Sequence, residues 1–289
     1  MSEQSFNECF VELEDLTLHY LEWGTPGSTP VLLLHGYLDI AHGWSLFAEQ
    51  LKDDFHIIAP NFRGHGKSGW GDGYSYVFYN YIYDLAQLLE HLEWDTFVLV
   101  GHSMGANCAS VFAGTFPERI THLMLLEGFG VPGFSADDAP ERLAKHVKRR
   151  FPGSRKKNKV FATFEDVVER IKWNNPRYPE GHAELLAKHG AKQLEDGSWT
   201  WLFDPRMRLP NPVMYQMEHF EAFWKRIQAP TIQVIGKESN YAGFASPDHW
   251  NIPGMQIAEI DGAGHMIQHD AADALVTLFR SFLASGDDE

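Results

Sequence analysis

The chain has 289 residues, 44% hydrophobic and 22% charged, an ordinary make-up for a soluble globular protein and long enough for a full core plus an insertion. Its formal net charge of −15 disfavours nucleic acid and anionic membrane surfaces as partners, and no apolar run reaches the ~18–20 residues that span a bilayer. Two cysteines, Cys9 and Cys108, supply neither a disulfide framework nor a metal spacing, so a reducing compartment is expected. Residues 1–5 lack the basic start and apolar stretch of a secretory signal. A cytoplasmic location is therefore expected, with a trimmed secreted form left open.

In chain order, residues 10–13 and 16–23 make a candidate hairpin around Glu14 and Asp15. Residues 30–34 are a continuous apolar run, as expected of a strand buried on both faces, and 56–59 are another. Val77, Tyr81, Leu85, Leu88, Leu89 and Leu92 recur at helical spacing. Residues 97–100 form the next strand, with a helical pattern from about 106 to 115 behind it. Strand runs follow at 120–126, 231–235 and 255–260, and residues 271–283 read as a terminal helix before the acidic tail Asp287-Asp288-Glu289. Strands alternating with helices argue an α/β fold with a largely parallel sheet.

Residues 129–228 break this alternation. They are richer in charge, Trp and Pro, and their periods are helical. They read as a cap (lid) inserted between two strands, dividing the chain into a core at 1–128 and 229–289 and a cap at 129–228. Inside the cap, Arg142, Lys145, Lys148, Arg149, Arg150, Arg155, Lys156, Lys157 and Lys159 make a basic run. It reads as a solvated face, or alternatively as a docking patch for an anionic substrate or surface.

The chemistry centres on Gly101-His102-Ser103-Met104-Gly105, set between the 97–100 strand and the helix. Strand, sharp turn and helix with a serine at the apex make a nucleophile elbow. The turn holds the serine in a backbone conformation that few residues adopt, and Gly101 and Gly105 let strand end and helix start approach. The helix start offers unpaired N–H groups to a developing oxyanion. A serine hydroxyl needs a base, and the partners of such an elbow follow in the order serine, acid, histidine. His265, in the glycine-containing loop Gly262-Ala263-Gly264-His265 after the last strand, fits that base; His269 is its nearest rival. His102 is assigned a packing role. Two amides are expected to form the oxyanion hole: Met104, just after the serine, and Tyr37, in the loop after the 30–34 strand. Nothing in the spacing suggests a metal, since His182 and His189 lack partners at ligand distance along the chain. No cofactor is expected. Cys108 reads as a small buried hydrophobe.

Taken together, His35-Gly36-Tyr37, Arg63-Gly64-His65-Gly66-Lys67-Ser68, Gly101-His102-Ser103-Met104-Gly105 and Gly262-Ala263-Gly264-His265 resemble the α/β-hydrolase superfamily over about residues 10–128 and 229–283. The resemblance implies an eight-stranded, mostly parallel sheet with helices on both faces, an inserted helical cap, and a Ser-acid-His triad. His35-Gly36-Tyr37-Leu38-Asp39 and Trp201-Leu202-Phe203-Asp204-Pro205-Arg206 are similar to the serine-hydrolase-like branch. Two positions depart from the family pattern. Asn61 stands where the family usually has Asp. The usual Asp acid, three residues past the glycine that ends the penultimate strand, is here Ser239. The acid is then assigned to Glu127, at the end of the 120–126 strand, where some members carry a Glu; Glu238 is the alternative. A carboxylate at a buried strand end needs a partner, and an imidazolium is one.

The reading that follows is a serine hydrolase that cleaves carboxylic esters through an acyl-enzyme on Ser103. Trp201, Phe203, Tyr215 and Trp44 are expected to line a largely apolar pocket for small to medium substrates. The same residues also suit a C–C bond, a lactone, an amide or a thioester. A non-catalytic ligand-binding protein on this fold is the remaining alternative. Oligomeric state is not legible.

Overall fold

The computed structural model describes residues 6–71, 76–128, 135–151, 157–211, 216–241 and 252–285. The early hairpin pairs β1 (Asn7–Glu12) antiparallel with β2 (Thr17–Trp23). Next come β3 (Thr29–Leu34), the short α1 (Ser45–Ala48), β4 (Phe55–Pro60) and α2 (Phe78–His91). Then β5 (Phe97–His102) runs into α3 (Met104–Thr115), and β6 (Ile120–Leu126) follows. The inserted region holds α4 (Ala139–Arg150), β7 (Val160–Phe161), α5 (Phe164–Asn174), α6 (His182–Gly190), β8 (Ala191–Gln193), β9 (Trp199–Trp201) and α7 (Met217–Trp224). The chain returns through β10 (Thr231–Gly236), β11 (Gln256–Ile260), α8 (Ile267–Asp270) and α9 (Ala272–Ala284).

Eight strands form one sheet in the order β1-β2-β4-β3-β5-β6-β10-β11, parallel except for the β1–β2 and β2–β4 pairings. Side-chain alternation assigns the two faces. In β3, Leu32 and Leu34 join the cluster under α2 and α3, while Val31 and Leu33 join the opposite cluster with Phe47 of α1 and Phe279 of α9. Both faces being covered explains why the central strands read as unbroken apolar runs. In α2, Tyr81, Ile82, Leu85, Leu88 and Leu89 make the buried stripe at 3.6-residue spacing.

Chain order reverses at β3: β4 lies on one side of it and β5 on the other. Ligands in such sheets bind beyond the strand ends at this switch point. The loop after β3 and the turn after β5 flank it.

The inserted region packs in two ways. A three-stranded antiparallel sheet, β7-β9-β8, with α5 and α6 gathers Phe161, Val167, Ile171, Leu186 and Ala187 around Ile40 of the core. Helix α5 starts with a capping box between Thr163 and Asp166. Helix α7 instead lies on α3, where Phe220 and Trp224 enter the main core cluster and Trp224 Nε1 donates to Ser110 Oγ at 3.0 Å. The end of the insertion thus belongs to the core by packing. Asp204 fastens the inserted region to the loop after β4: its N–H donates to the Gly64 carbonyl at 2.8 Å, and its carboxylate accepts from the Tyr76 hydroxyl at 2.6 Å.

Of the basic run, residues 142–150 lie on α4, where Lys145 pairs with Glu141 at 2.7 Å; residues 152–156 lie outside the described residues. Cys108 is fully buried, and burial pushes its thiol pKa up. No helix among the described residues is long and apolar enough to cross a membrane.

Candidate active site

Ser103 stands between β5 and α3 with φ 52° and ψ −113°, a conformation that a non-glycine residue keeps only when its surroundings enforce it. Its N–H donates to the Leu126 carbonyl at 2.8 Å, which ties the turn to the end of β6. A Cβ on Gly101 would lie 2.4 Å from the Gly105 carbonyl oxygen, and one on Gly105 would lie 2.3 Å from the Leu34 carbonyl oxygen. The two glycines of the motif are thus required by contact, as the sequence suggests.

Directly after β6, Glu127 has φ 50° and is 1% exposed. Its N–H donates to the Val234 carbonyl at 3.0 Å, so β10 fixes it at the sheet's edge of the cleft. Its carboxylate takes three donors. The Gly236 N–H reaches Oε1 at 2.8 Å, the Ser239 hydroxyl reaches Oε2 at 2.6 Å, and His265 Nδ1 reaches Oε2 at 3.1 Å. Those bonds offset the cost of burying the group. On the other side of the ring, His265 Nε2 lies 3.1 Å from Ser103 Oγ. A carboxylate can only accept, so Nδ1 carries the proton and Nε2 is left to accept from the serine hydroxyl. Hydroxyl, imidazole and carboxylate form one hydrogen-bonded line from three different strand ends, an arrangement able to take a proton from the serine.

Glu238 is not in that line. Its side chain is 51% exposed and accepts from Arg177 Nη2 at 2.8 Å. His269 is not in it either: its Nε2 lies 3.3 Å from Asp39 Oδ2, and its Nδ1 lies 2.7 Å from His182 Nε2. Burial works against the Asp39 carboxylate, yet the His269 hydrogen bond and charge hold its carboxyl well below the usual range.

His102 does more than pack. Its Nε2–H donates to the His265 carbonyl at 2.7 Å, and Gln268 Nε2 donates to its Nδ1 at 3.2 Å. Burial lowers its pKa to about 3, keeping the ring neutral so that one nitrogen donates and the other accepts. The Gly264 N–H donates to Asp270 Oδ2 at 2.9 Å and secures the same loop.

The loop after β3 is held by two neutral histidines. The Phe62 N–H donates to His35 Nε2 at 3.0 Å, and the Leu38 N–H donates to His65 Nε2 at 3.2 Å. The opposite nitrogens donate to the carbonyls of Gly36 and Arg63, at 2.7 and 3.1 Å. Leu38 has φ 62°, and this clasp supports the strain. Gly36 comes so close to the elbow that an added Cβ would lie 2.8 Å from His102 Nδ1 and 3.4 Å from Ser103 Cβ. Tyr37 follows directly on this close approach of Gly36 to the elbow, and Met104 follows Ser103 as the first residue of α3. Asn61, the departure from the family pattern, accepts from the Ala41 N–H at 2.7 Å and donates from Nδ2 to His19 Nδ1 at 2.6 Å. An ionised Asp could keep the second contact only by accepting from Nδ1–H, so the Asn sets the proton of His19 on Nε2.

A cavity of about 510 Å³ opens at His265. Trp201 and Phe203 line it, as the sequence suggests, together with Tyr37, Ile40, Ile171 and Leu186. Trp44 does not: it is fully buried in the cluster with Phe47 and Phe279, because its turn inserts it beneath the sheet. Tyr215 lies outside the described residues. The wall is not uniformly apolar, since Arg170, Asn174 and Arg208 share it. The Arg170 guanidinium lies 4.3 Å from the Trp173 ring centroid and that of Arg208 4.6 Å from Phe203, and neither forms an ion pair among the described residues. Single arginines in a sequence carry no signal that would have placed them in one cavity.

The model of the alpha/beta hydrolase fold matches residues 29–272. A "Serine hydrolase-like protein" of Danio rerio is 26% identical over 274 residues, 90% of this chain and 83% of that protein. "Serine hydrolase-like protein 2" of Homo sapiens is 30% identical over 183 residues, and the chain spans 57% of its length. Among solved structures, a hypothetical protein of Pseudomonas aeruginosa PAO1 superposes with a TM-score of 0.87 at 31% identity, covering 96% of this chain and 99% of that one. The order of the eight strands, the elbow after β5 and a match over most of the length agree, and the chain belongs to the α/β-hydrolase fold family, as a hydrolase of that family.

Proposed function

We propose that the protein is a serine hydrolase that cleaves carboxylic esters of small to medium size, with an apolar body and one acidic group. The observation that carries the reading is the line from Ser103 Oγ through His265 to Glu127 Oε2, with two spacings of 3.1 Å, at the edge of a cavity of about 510 Å³. In this reading Ser103 Oγ attacks the acyl carbon as its proton passes to His265 Nε2, while Glu127 holds the ring and stabilises the imidazolium. The Tyr37 and Met104 amides stabilise the tetrahedral oxyanion. His265 returns the proton to the leaving alcohol. Water then adds to the acyl-enzyme by the same route, freeing the acid and Ser103.

The size of the cavity suits a small ligand, and its Ile40, Ile171, Trp201 and Phe203 wall suits an apolar body. The acidic group follows from Arg170 and Arg208, two guanidiniums with no carboxylate partner among the described residues in a chain of net charge −15. Ester cleavage is tested with p-nitrophenyl butyrate and labelling by a fluorophosphonate, each compared with Ser103→Ala. Turnover and labelling that vanish in the variant support the reading; an inert, unlabelled wild type overturns it. A panel of lactones, thioesters, amides and C–C ring-cleavage products fixes the bond class. Tight ligand binding without turnover, undiminished in Ser103→Ala, would indicate a receptor.

A further inference from the structure

The peptide between Ala263 and Gly264 stands directly before His265, and both of its polar atoms are taken. Its carbonyl accepts from the Glu238 N–H at 2.9 Å, and its N–H donates to Asp270 Oδ2 at 2.9 Å. The two residues that hold it are held in turn by the inserted region. Asn175, directly after α5, donates from Nδ2 to Asp270 Oδ1 at 2.7 Å, and Arg177 donates from Nη2 to Glu238 Oε2 at 2.8 Å. The two links differ in weight. The Arg177–Glu238 pair is exposed on both sides, where an ion pair contributes little. Asn175 is 6% exposed, and its amide has one workable orientation. A carboxylate only accepts, so Nδ2 faces Asp270, and Oδ1 accepts from the Arg177 N–H at 3.1 Å. A shielded hydrogen bond to a charged group is the stronger kind. The segment also lies against the loop itself: a Cβ on Gly264 would lie 3.0 Å from an Arg177 guanidinium nitrogen and 3.2 Å from Asp270 Oδ2.

We propose that Asn175 and Asp270 are positioning residues for His265, so that the inserted region helps to hold the base of the reaction. The inference rests on the Ser103–His265–Glu127 reading above and adds to it the mount of the histidine. Three ties fix His265: Glu127 on its ring, His102 on its carbonyl, and Asp270 on the peptide before it. The first two come from the core. The third depends on a carboxylate whose other oxygen Asn175 engages. One residue before Asp270, His269 Nδ1 lies 2.7 Å from His182 Nε2 of α6, so the inserted region grips the same short helix twice. Helix α5 also lines the cavity through Arg170, Ile171 and Asn174. The helix placed to meet a substrate is thus the one that steadies the histidine. The ring has 3.1 Å contacts on both sides, and a misplacement of about 1 Å in such a line costs on the order of 100-fold in rate.

The test exchanges the two side chains. In Asn175→Asp two carboxylates face each other across the 2.7 Å contact, and kcat for p-nitrophenyl butyrate falls about 10–100-fold with KM within about twofold. Combining Asn175→Asp with Asp270→Asn reverses the bond: the amide oxygen accepts from the Gly264 N–H, and its nitrogen donates to the carboxylate of the inserted region. This exchange brings kcat back to within about threefold of wild type. Asn175→Leu removes the bond without adding charge and lowers kcat about tenfold, again with little change in KM. Fluorophosphonate labelling of Ser103 slows in step, since it uses the same His265. Assays run well below each melting temperature, so a loss of kcat is not a loss of folded protein. A labelled, active wild type whose Asn175→Asp and Asn175→Leu variants stay within about twofold overturns the proposal and leaves the Ser103 chemistry standing. A folded exchange variant no more active than Asn175→Asp does the same. Where the exchange variant does not fold, the kcat and KM of Asn175→Leu decide. An inert, unlabelled wild type overturns the serine-hydrolase reading, and this inference with it.

Discussion

The Ser239 hydroxyl donates to Glu127 Oε2 at 2.6 Å, the same oxygen that faces His265 Nδ1 at 3.1 Å. Ser239 occupies the position where much of the family carries its acid, and Glu127 reaches toward the same space from the neighbouring strand. His265 thus meets a carboxylate that follows β6, not one that follows β10. In turn the Tyr241 N–H donates to Ser239 Oγ at 3.1 Å, so the hydroxyl is aimed by its own loop.

Glu127→Gln is expected to lower kcat by about 10²–10⁴-fold with little change in KM, because an amide at Oε2 no longer fixes the His265 tautomer. Glu238→Gln, which removes only an exposed pair with Arg177, is expected to stay within about twofold of wild type. Steady-state kinetics on one ester decide it, and the reverse order would transfer the acid to Glu238.

Ser239→Ala is expected to lower kcat about tenfold, which corresponds to ~1.4 kcal/mol, because one of three donors to a buried carboxylate is lost. The double variant Glu127→Gln with Ser239→Asp is expected to regain part of the activity lost in Glu127→Gln, since it returns an acid to the usual strand. A double variant no better than the single one would show that the Ser239 loop cannot aim a carboxylate at His265.

Gly36→Ala is expected to lower kcat about 100-fold while destabilising the fold by only ~1–3 kcal/mol. The new Cβ meets His102 Nδ1 at 2.8 Å and pushes the Tyr37 backbone away from Ser103. Thermal melting read beside kcat separates this from general unfolding.

Arg208→Met is expected to raise KM about 10–100-fold for the p-nitrophenyl half-ester of a short dicarboxylic acid, the size of a lost charge-assisted bond. KM for p-nitrophenyl butyrate should hardly move. Equal effects on both substrates would rule out the acidic group and leave the ester chemistry standing.

The histidine clasp predicts a pH dependence of stability. Burial lowers the pKa of His65 from its ordinary value near 6.5 to about 3, and its Nε2 must stay unprotonated to accept from Leu38. Between those values the unfolded chain binds a proton that the folded chain excludes. Stability from this group is therefore complete above about pH 6.5 and falls as the pH drops toward 3, by at most ~1.4 kcal/mol per pH unit. His65→Gln keeps an acceptor for Leu38 without the titration. Its urea-unfolding free energy should fall less steeply between pH 6 and 4 than that of the wild type; identical slopes would remove His65 as the source.

Much of the fold was legible because strand burial and turn chemistry are local. Unbroken apolar runs marked β3, β5 and β6, and the Gly-x-Ser-x-Gly spacing needs only the close contacts around Gly101 and Gly105 to make its turn. Ser103 and His265 could be named from order along the chain. Position alone did not separate Glu127 from Glu238, since both follow strands that end at the cleft. Register and burial separate them: Glu127 is drawn in by β10 and Ser239, and Glu238 turns to Arg177 at the surface. Trp44 shows the opposite failure, a large aromatic near the right loop whose turn places it under the sheet. The sequence by itself determined the strands of the sheet and the elbow that holds Ser103, which depend on contacts between near neighbours. Only the tertiary structure decided which glutamate meets His265, which arginines line the cavity and which histidines stack together, because each is assembled from segments that meet only when the chain has packed.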